Sequence, residues 1–153
     1  MRRSSLLIVA LVAVVAAGCG SKPKDVTKAQ YEQQVQRLGK TLVDAGSQLG
    51  QHLDIASFNQ DVENFQKELR SASKELKGLK PPPNAQGPNE RLADAFHDLA
   101  DDLDAVKDAR RKSLPEAGRV FAAARGGPAA RRGRAAVREL KRRGYAVGEM
   151  ASL

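Results

Sequence analysis

The stretch 58–79, FNQDVENFQKELRSASKELKGL, sets Phe58, Val62, Phe65, Leu69, Ala72, Leu76 and Leu79 at intervals of 4, 3, 4, 3, 4 and 3. At about 3.6 residues per turn, such intervals return to one side of a helix. The residues between them are mostly Asn, Gln, Glu, Lys and Ser. The stretch therefore reads as an amphipathic helix that buries a single stripe.

The same rhythm recurs on both sides. Upstream, Tyr31, Val35, Leu38, Leu42, Ala45 and Leu49 follow it, and downstream Leu92, Phe96, Leu99, Leu103 and Val106 do. Strand-type alternation is not found after the first 20 or so residues. Between Leu49 and Phe58 the apolar phase shifts, and Gly46 and Gly50 weaken the first helix, so helices one and two are separate. His52 falls in that break and reads as a surface residue. Ser57 with Gln60 reads as a capping box opening helix two. Gly78 and then Pro81-Pro82-Pro83 end it, and the prolines begin a stiff connection through Asn84, Gly87 and Pro88. Asn89 or Gly87 is expected to cap helix three.

Ser113 with Glu116 forms a second capping box, with Pro115 in the first turn. It predicts a short new helix carrying Val120, Phe121 and Ala124; the alternative is one long helix kinked at Pro115. Gly126-Gly127-Pro128 is a break, and a final helix runs over 129–143. Gly144 stands just past its end, with Tyr145 and Val147 positioned to fold back. Only 4% of the chain is aromatic and there is no Trp, so the core must be built from Leu, Val and Ala. The expected fold is all-α: an up-and-down helical bundle of three main helices plus one or two shorter C-terminal helices. Heptad spacing also permits an intermolecular coiled coil. Short runs separated by turns favour the bundle.

The first 18 residues have a different character. Met1-Arg2-Arg3-Ser4-Ser5 is a short basic segment, and Leu6 to Ala17 is uncharged and apolar. That run is too short for a bilayer span of about 20 residues. With small residues Ala16, Ala17 and Gly18 at its end, it reads as a signal peptide and cleavage site. Cys19, the sole cysteine, follows at once, and one cysteine cannot form an internal disulfide.

Residues 1–21 resemble the leader of bacterial lipoproteins, whose lipobox is an apolar-small-small-Cys run. Here it is Ala16-Ala17-Gly18-Cys19, with Ala16 where the family most often has Leu. The resemblance implies that the Cys19 thiol receives a diacylglyceryl group and becomes the new N-terminus, carrying palmitate-type chains at the cell membrane. Each buried CH₂ contributes about 0.8 kcal/mol, and two chains anchor stably where one is marginal. The domain organisation expected is 1–18 signal peptide, 19–26 lipidated cysteine and flexible tether, and 27–153 helical bundle with a basic last helix. The Leu79-Lys80-Pro81-Pro82 junction, followed by a helix bearing His97, is similar over residues 58–106 to small helical extracytoplasmic lipoproteins of unassigned function. That likeness carries no activity.

The formal charge of +8 is unevenly spread. Residues 22–106 hold 11 Lys/Arg against 14 Asp/Glu, whereas residues 107–153 hold 13 against 4. On the third helix Glu90, Asp94, His97, Asp101, Asp104 and Asp108 share a side beside the apolar stripe. His97 with Asp94 and Asp101 has helical spacing that suits a divalent metal, but a lone His makes a weak site and a solvated acidic face explains the same row, so no metal or other cofactor is expected. On the last helix Arg131, Arg134, Arg138 and Lys141 form a basic side. It suits an anionic surface, or docking within the molecule against the acidic side of helix three, with Val137, Leu140 and Tyr145 as the apolar contact. Export and the lack of stacking aromatics there argue against nucleic acid. No phosphate-binding glycine loop, serine elbow or HExxH is present, so an enzyme is not expected. The expected role is a lipid-anchored, non-enzymatic interaction or structural module on the extracytoplasmic face, meeting an envelope protein or anionic polymer. The alternative is an accessory carrier or sensor for a small ligand, metal or lipid.

Overall fold

Six α-helices and a terminal 3-10 helix make up most of the described residues, 24–49, 51, 52 and 54–152, of the computed structural model. They are α1 (Lys28–Gln48), α2 (Ile55–Lys77), α3 (Pro83–Asp102), α4 (Asp104–Lys112), α5 (Leu114–Gly126), α6 (Pro128–Arg142) and the 3-10 helix Gly148–Ser152. Two short strands, β1 (Lys24–Asp25) and β2 (Leu79–Lys80), pair in parallel. The all-α bundle is confirmed: three main helices are followed by the shorter α4, α5 and α6.

Local chemistry explains the helix ends. Thr27 and Gln30 form a reciprocal capping box at the start of α1. Asp54, not Ser57, caps α2: its carboxylate accepts the Ser57 N–H at 2.8 Å. That hydrogen bond lowers the Asp54 pKa, and a negative charge at a helix N-terminus is itself favourable. Ser57 is therefore inside the helix. Ser113 has extended backbone and its hydroxyl accepts the Glu116 N–H, so α5 is a new helix and not the kinked continuation of α4. Gly144, with φ of 80°, supplies the left-handed residue that turns the chain back after α6.

The proline-rich segment departs from expectation. Pro82 is the N-cap of α3, Pro83 is its first residue, and Gly87 and Pro88 lie inside it. Proline is favoured at the first helical position because its missing N–H has no intrahelical partner there. Pro88 removes a donor that the Asn84 carbonyl would otherwise receive. The Arg143 guanidinium donates to that carbonyl instead. The Tyr145 hydroxyl donates to the Asn84 side-chain oxygen. Asn89 does not cap α3. Buried within it, Asn89 donates to the Leu76 carbonyl at 2.9 Å and so satisfies the C-terminal end of α2.

The main helices run alternately. Gln34 and Arg37 of α1 meet Glu75 near the end of α2. Lys77 and Arg70 of α2 pair with Asp94 and Asp101 of α3. Arg91 and Asp98 of α3 pair with Glu139 and Arg132 of α6. α2 thus lies between α1 and α3, and α6 covers the other flank of α3 antiparallel to it. α4 and α5 form a hairpin at the far end. The chain then returns along α1: Tyr145 meets Tyr31 edge-on at 5.6 Å, and Met150 packs at Gly39.

The core is the predicted stripe. All six positions from Phe58 to Leu76 are buried, as are Tyr31, Val35, Leu38, Leu42, Leu92 and Phe96. Ala45, Leu49, Leu79 and Leu99 are half-buried against it. The expected tether is shorter than 19–26. The Lys24 N–H donates to the Gly78 carbonyl and the Val26 N–H to the Lys80 carbonyl, so the body begins by Lys24.

Candidate functional site

Three acids of the row, Asp94, Asp101 and Asp104, face α2, and Asp108 pairs with Arg111 within α4. Asp94 pairs with Lys77 at 2.8 Å and Asp101 with Arg70 at 3.0 Å. Asp104 accepts from the Gln66 amide, which lowers its pKa, and pairs with Lys107. Gln66 also donates to the Ala100 carbonyl at 2.7 Å, in the last turn of α3. This buried amide was not legible from the heptad pattern. It sits between two stripe residues, and only the break between α3 and α4 shows what it serves. His97 lies 3.7 Å from Asp101. Among the described residues no three His, Cys, Asp or Glu side chains are grouped to hold a metal ion. The cations of α2 occupy the carboxylates that a metal would need.

The acidic row does not receive the basic side of α6, contrary to expectation. α6 does dock on α3, through buried Val137 and Leu140 with Tyr145 behind them. Its ion pairs, however, use Arg132 and Glu139 on neighbouring faces. The reason is the rotation of α3: Asp94 and Asp101 point to α2, while Arg91, Ala95 and Asp98 point to α6. Gly133 lies on the contact with α3, where a Cβ would stand 3.4 Å from the Ala95 Cβ.

The other basic residues of α6 have a different setting. Arg131 donates to the Gly126 carbonyl. Arg134, Arg138 and Lys141 lie along the edge of a cavity of about 220 Å³ between α3, α6 and the 3-10 helix. A second cavity, of about 320 Å³, opens between α1, α2, α3, α5 and α6. The two share Phe96, Leu99, Ala130 and Arg134 and so lie side by side, together the trough of this flank. Its origin is visible in the path of the chain: residues 145–152 fill one half of the gap beside α1 and leave the half near Leu42, Val43 and Gly46 open. Apolar side chains make most of the lining, with Leu99 and Phe121 only half-buried. Every charged residue in it is cationic: Arg125, Arg134, Arg138 and Lys141. Arg125 lies 6.0 Å from the Phe121 ring centre, and its carbonyl accepts from Arg134 at 3.0 Å. Among the described residues none of the four has a carboxylate partner, whereas Arg37, Arg70, Arg91, Arg119, Arg132 and Arg143 all do.

His52 is at the surface as expected, but it is engaged: its Nδ1 is 2.9 Å from the Asp61 carboxylate, which is largely buried. The hydrogen bond with Asp61 raises the imidazole pKa above 6.5. Because the folded state holds the proton more tightly, this contact stabilises the fold fully below pH 6.5, and its contribution is lost as the pH rises through the raised value. In an NMR titration the His52 midpoint is expected above 6.5 in the wild type and to fall back in Asp61→Asn. An unchanged midpoint in that variant would show that the pair is not formed.

Cys19 and the cleavage residues Ala16, Ala17 and Gly18 lie outside the described residues. Within those residues no helix is long and apolar enough to cross a membrane. The described body is an all-α bundle carrying a trough with apolar walls and a cationic edge. No family model matches the chain, and no curated protein or solved structure matches it.

Proposed function

We propose that the chain is an exported lipoprotein whose Cys19 carries acyl chains and holds the helical body at the extracytoplasmic face of a membrane. There it acts as a non-enzymatic binding module for a component of the cell envelope, an anionic polymer or a protein. The observation that carries the proposal is the order of the first 19 residues: a basic start, an apolar run, three small residues and then the sole cysteine. The proximity of the fold supports it. Only residues 20–23 separate Cys19 from the β1–β2 pairing, a reach of at most about 18 Å at ~3.5 Å per residue. A body held so closely keeps Lys22 and Lys24 near the lipid head groups, where each gains about 1 kcal/mol on an anionic surface.

Metabolic labelling with palmitate, followed by separation of membranes from soluble protein, tests this. The wild type is expected to carry label and to sediment with membranes; Cys19→Ser is expected to lose both properties. Unlabelled wild-type protein in the soluble fraction would overturn the proposal.

A second reading, the accessory carrier of a small amphiphile, is favoured by the trough. Its apolar walls and one-signed edge distinguish it from the charge-balanced faces elsewhere on the bundle.

A further inference from the structure

We infer that the trough beside α6 binds a single-chain anionic amphiphile, its hydrocarbon tail lying along Phe96 and Leu99 and its acidic head group held by Arg134, Arg138 and Lys141. The inference deepens the carrier reading and takes its biological setting from it, but the site itself is argued without reference to the anchor.

Three observations carry it. The first is charge. The four charged side chains of the lining are all cations, and none has a carboxylate partner among the described residues. Arg134, Arg138 and Lys141 recur at intervals of 4 and 3, so they stand in one line along the edge of α6. A cluster of one sign beside a low-dielectric wall focuses its field on an incoming anion. Arginine adds a planar fork of donors suited to a carboxylate or phosphate.

The second is shape. The cavities, about 220 and 320 Å³, share four lining residues and adjoin at Phe96 and Leu99. The larger lies near the lower end of the range for small-molecule sites, roughly 300–1,000 Å³, and the smaller just below it. A partner helix, about 10–12 Å across with its side chains, displaces more than either volume within two turns. A flexible alkyl chain fits where a helix does not.

The third is the cover. Met150, Ala151 and Ser152 of the 3-10 helix form part of the wall. Methionine adapts its shape readily to an apolar ligand. The 3-10 helix is held on α1 by the close approach of Met150 to Gly39, so the wall belongs to the folded body.

The experiment uses the full chain with Cys19→Ser, so that no acyl group of its own competes and the result is independent of lipidation. The probe is a fluorescent long-chain fatty acid, parinaric acid, titrated below its micelle concentration. Saturable binding at one equivalent is expected, with displacement by oleate and little by an alkylammonium of equal length. Arg134→Gln with Arg138→Gln is expected to weaken binding about tenfold, the loss of roughly one charge-assisted hydrogen bond. Ala130→Trp, which places a bulky ring where the two cavities meet, is expected to abolish it. Circular dichroism is used to check that each variant remains folded, and the paired glutamine variant serves if the tryptophan does not. Absence of saturable binding would overturn the inference. So would equal binding of the alkylammonium, or binding only to anionic vesicles, which would assign the edge cations to a membrane surface.

Discussion

Leu140→Ala is expected to lower the stability of the body by about 2–5 kcal/mol, read as an earlier midpoint in chemical denaturation. Leu140 is fully buried, and its carbonyl accepts the Tyr145 N–H at the turn that ends α6. The buried side of α6 otherwise consists of Ala129, Gly133, Ala136 and Val137, so Leu140 is the largest apolar anchor of the helix. Its loss leaves a cavity that neighbouring alanines cannot fill. Against the 5–15 kcal/mol typical of a small domain, the effect is large. The same variant decides between the two sequence-based roles for this helix. Were α6 to lie on a membrane and not on α3, shortening Leu140 would leave unfolding in solution unchanged.

Gly39→Ala is the second large effect, and its sign is the point of interest. Helix propensity alone favours alanine over glycine by about 1 kcal/mol inside a helix such as α1. In the folded protein, a Cβ at this position would meet the Met150 backbone nitrogen at 2.5 Å and its Cα at 3.0 Å. Backbone atoms cannot rotate away as a side chain can. The substitution is therefore expected to lift the 3-10 helix off α1 and to destabilise by about 1–3 kcal/mol, the usual cost of overpacking. Hydrogen exchange should accelerate over residues 145–152 more than elsewhere. Gly118→Ala is the control: nothing lies within 4 Å of the added Cβ, so the propensity gain should appear unopposed. If both variants stabilise the protein equally, the C-terminal segment is not docked as described.

These two sites show what a sequence conveys and what it withholds. The stripes led by Tyr31, Phe58 and Leu92 were legible because burial of one helix face imposes a period on the chain, and the structure buries that period. Ser113, Gly127 and Gly144 were legible because cap and turn chemistry is local. The start of α2 was misplaced by a turn because Asp54 precedes the first apolar position, and its carboxylate competes better than the Ser57 hydroxyl. The start of α3 was missed for a different reason. Pro88 within a helix looks prohibitive until Arg143, far along the chain, donates to the carbonyl that it leaves without a partner. The role of Gly39 has the same character, since nothing near it in sequence announces Met150.

The candidate site divides in the same way. The cationic line of α6 was visible as a period, but its setting was not. Which side of α3 faces α6 depends on helix rotation, and that rotation turns Asp94 and Asp101 toward Lys77 and Arg70. With those acids committed elsewhere, Arg134, Arg138 and Lys141 are left beside an apolar trough assembled from five helices and the end of the chain.

The proposed setting of the helical body turns on the chemistry of Cys19. Top-down mass spectrometry of the protein extracted from cells measures that directly. The proposal predicts a chain whose first residue is Cys19, heavier by a thioether-linked diacylglyceryl group. A chain that retains Met1 with an unmodified thiol, or one that begins after residue 19, would contradict it.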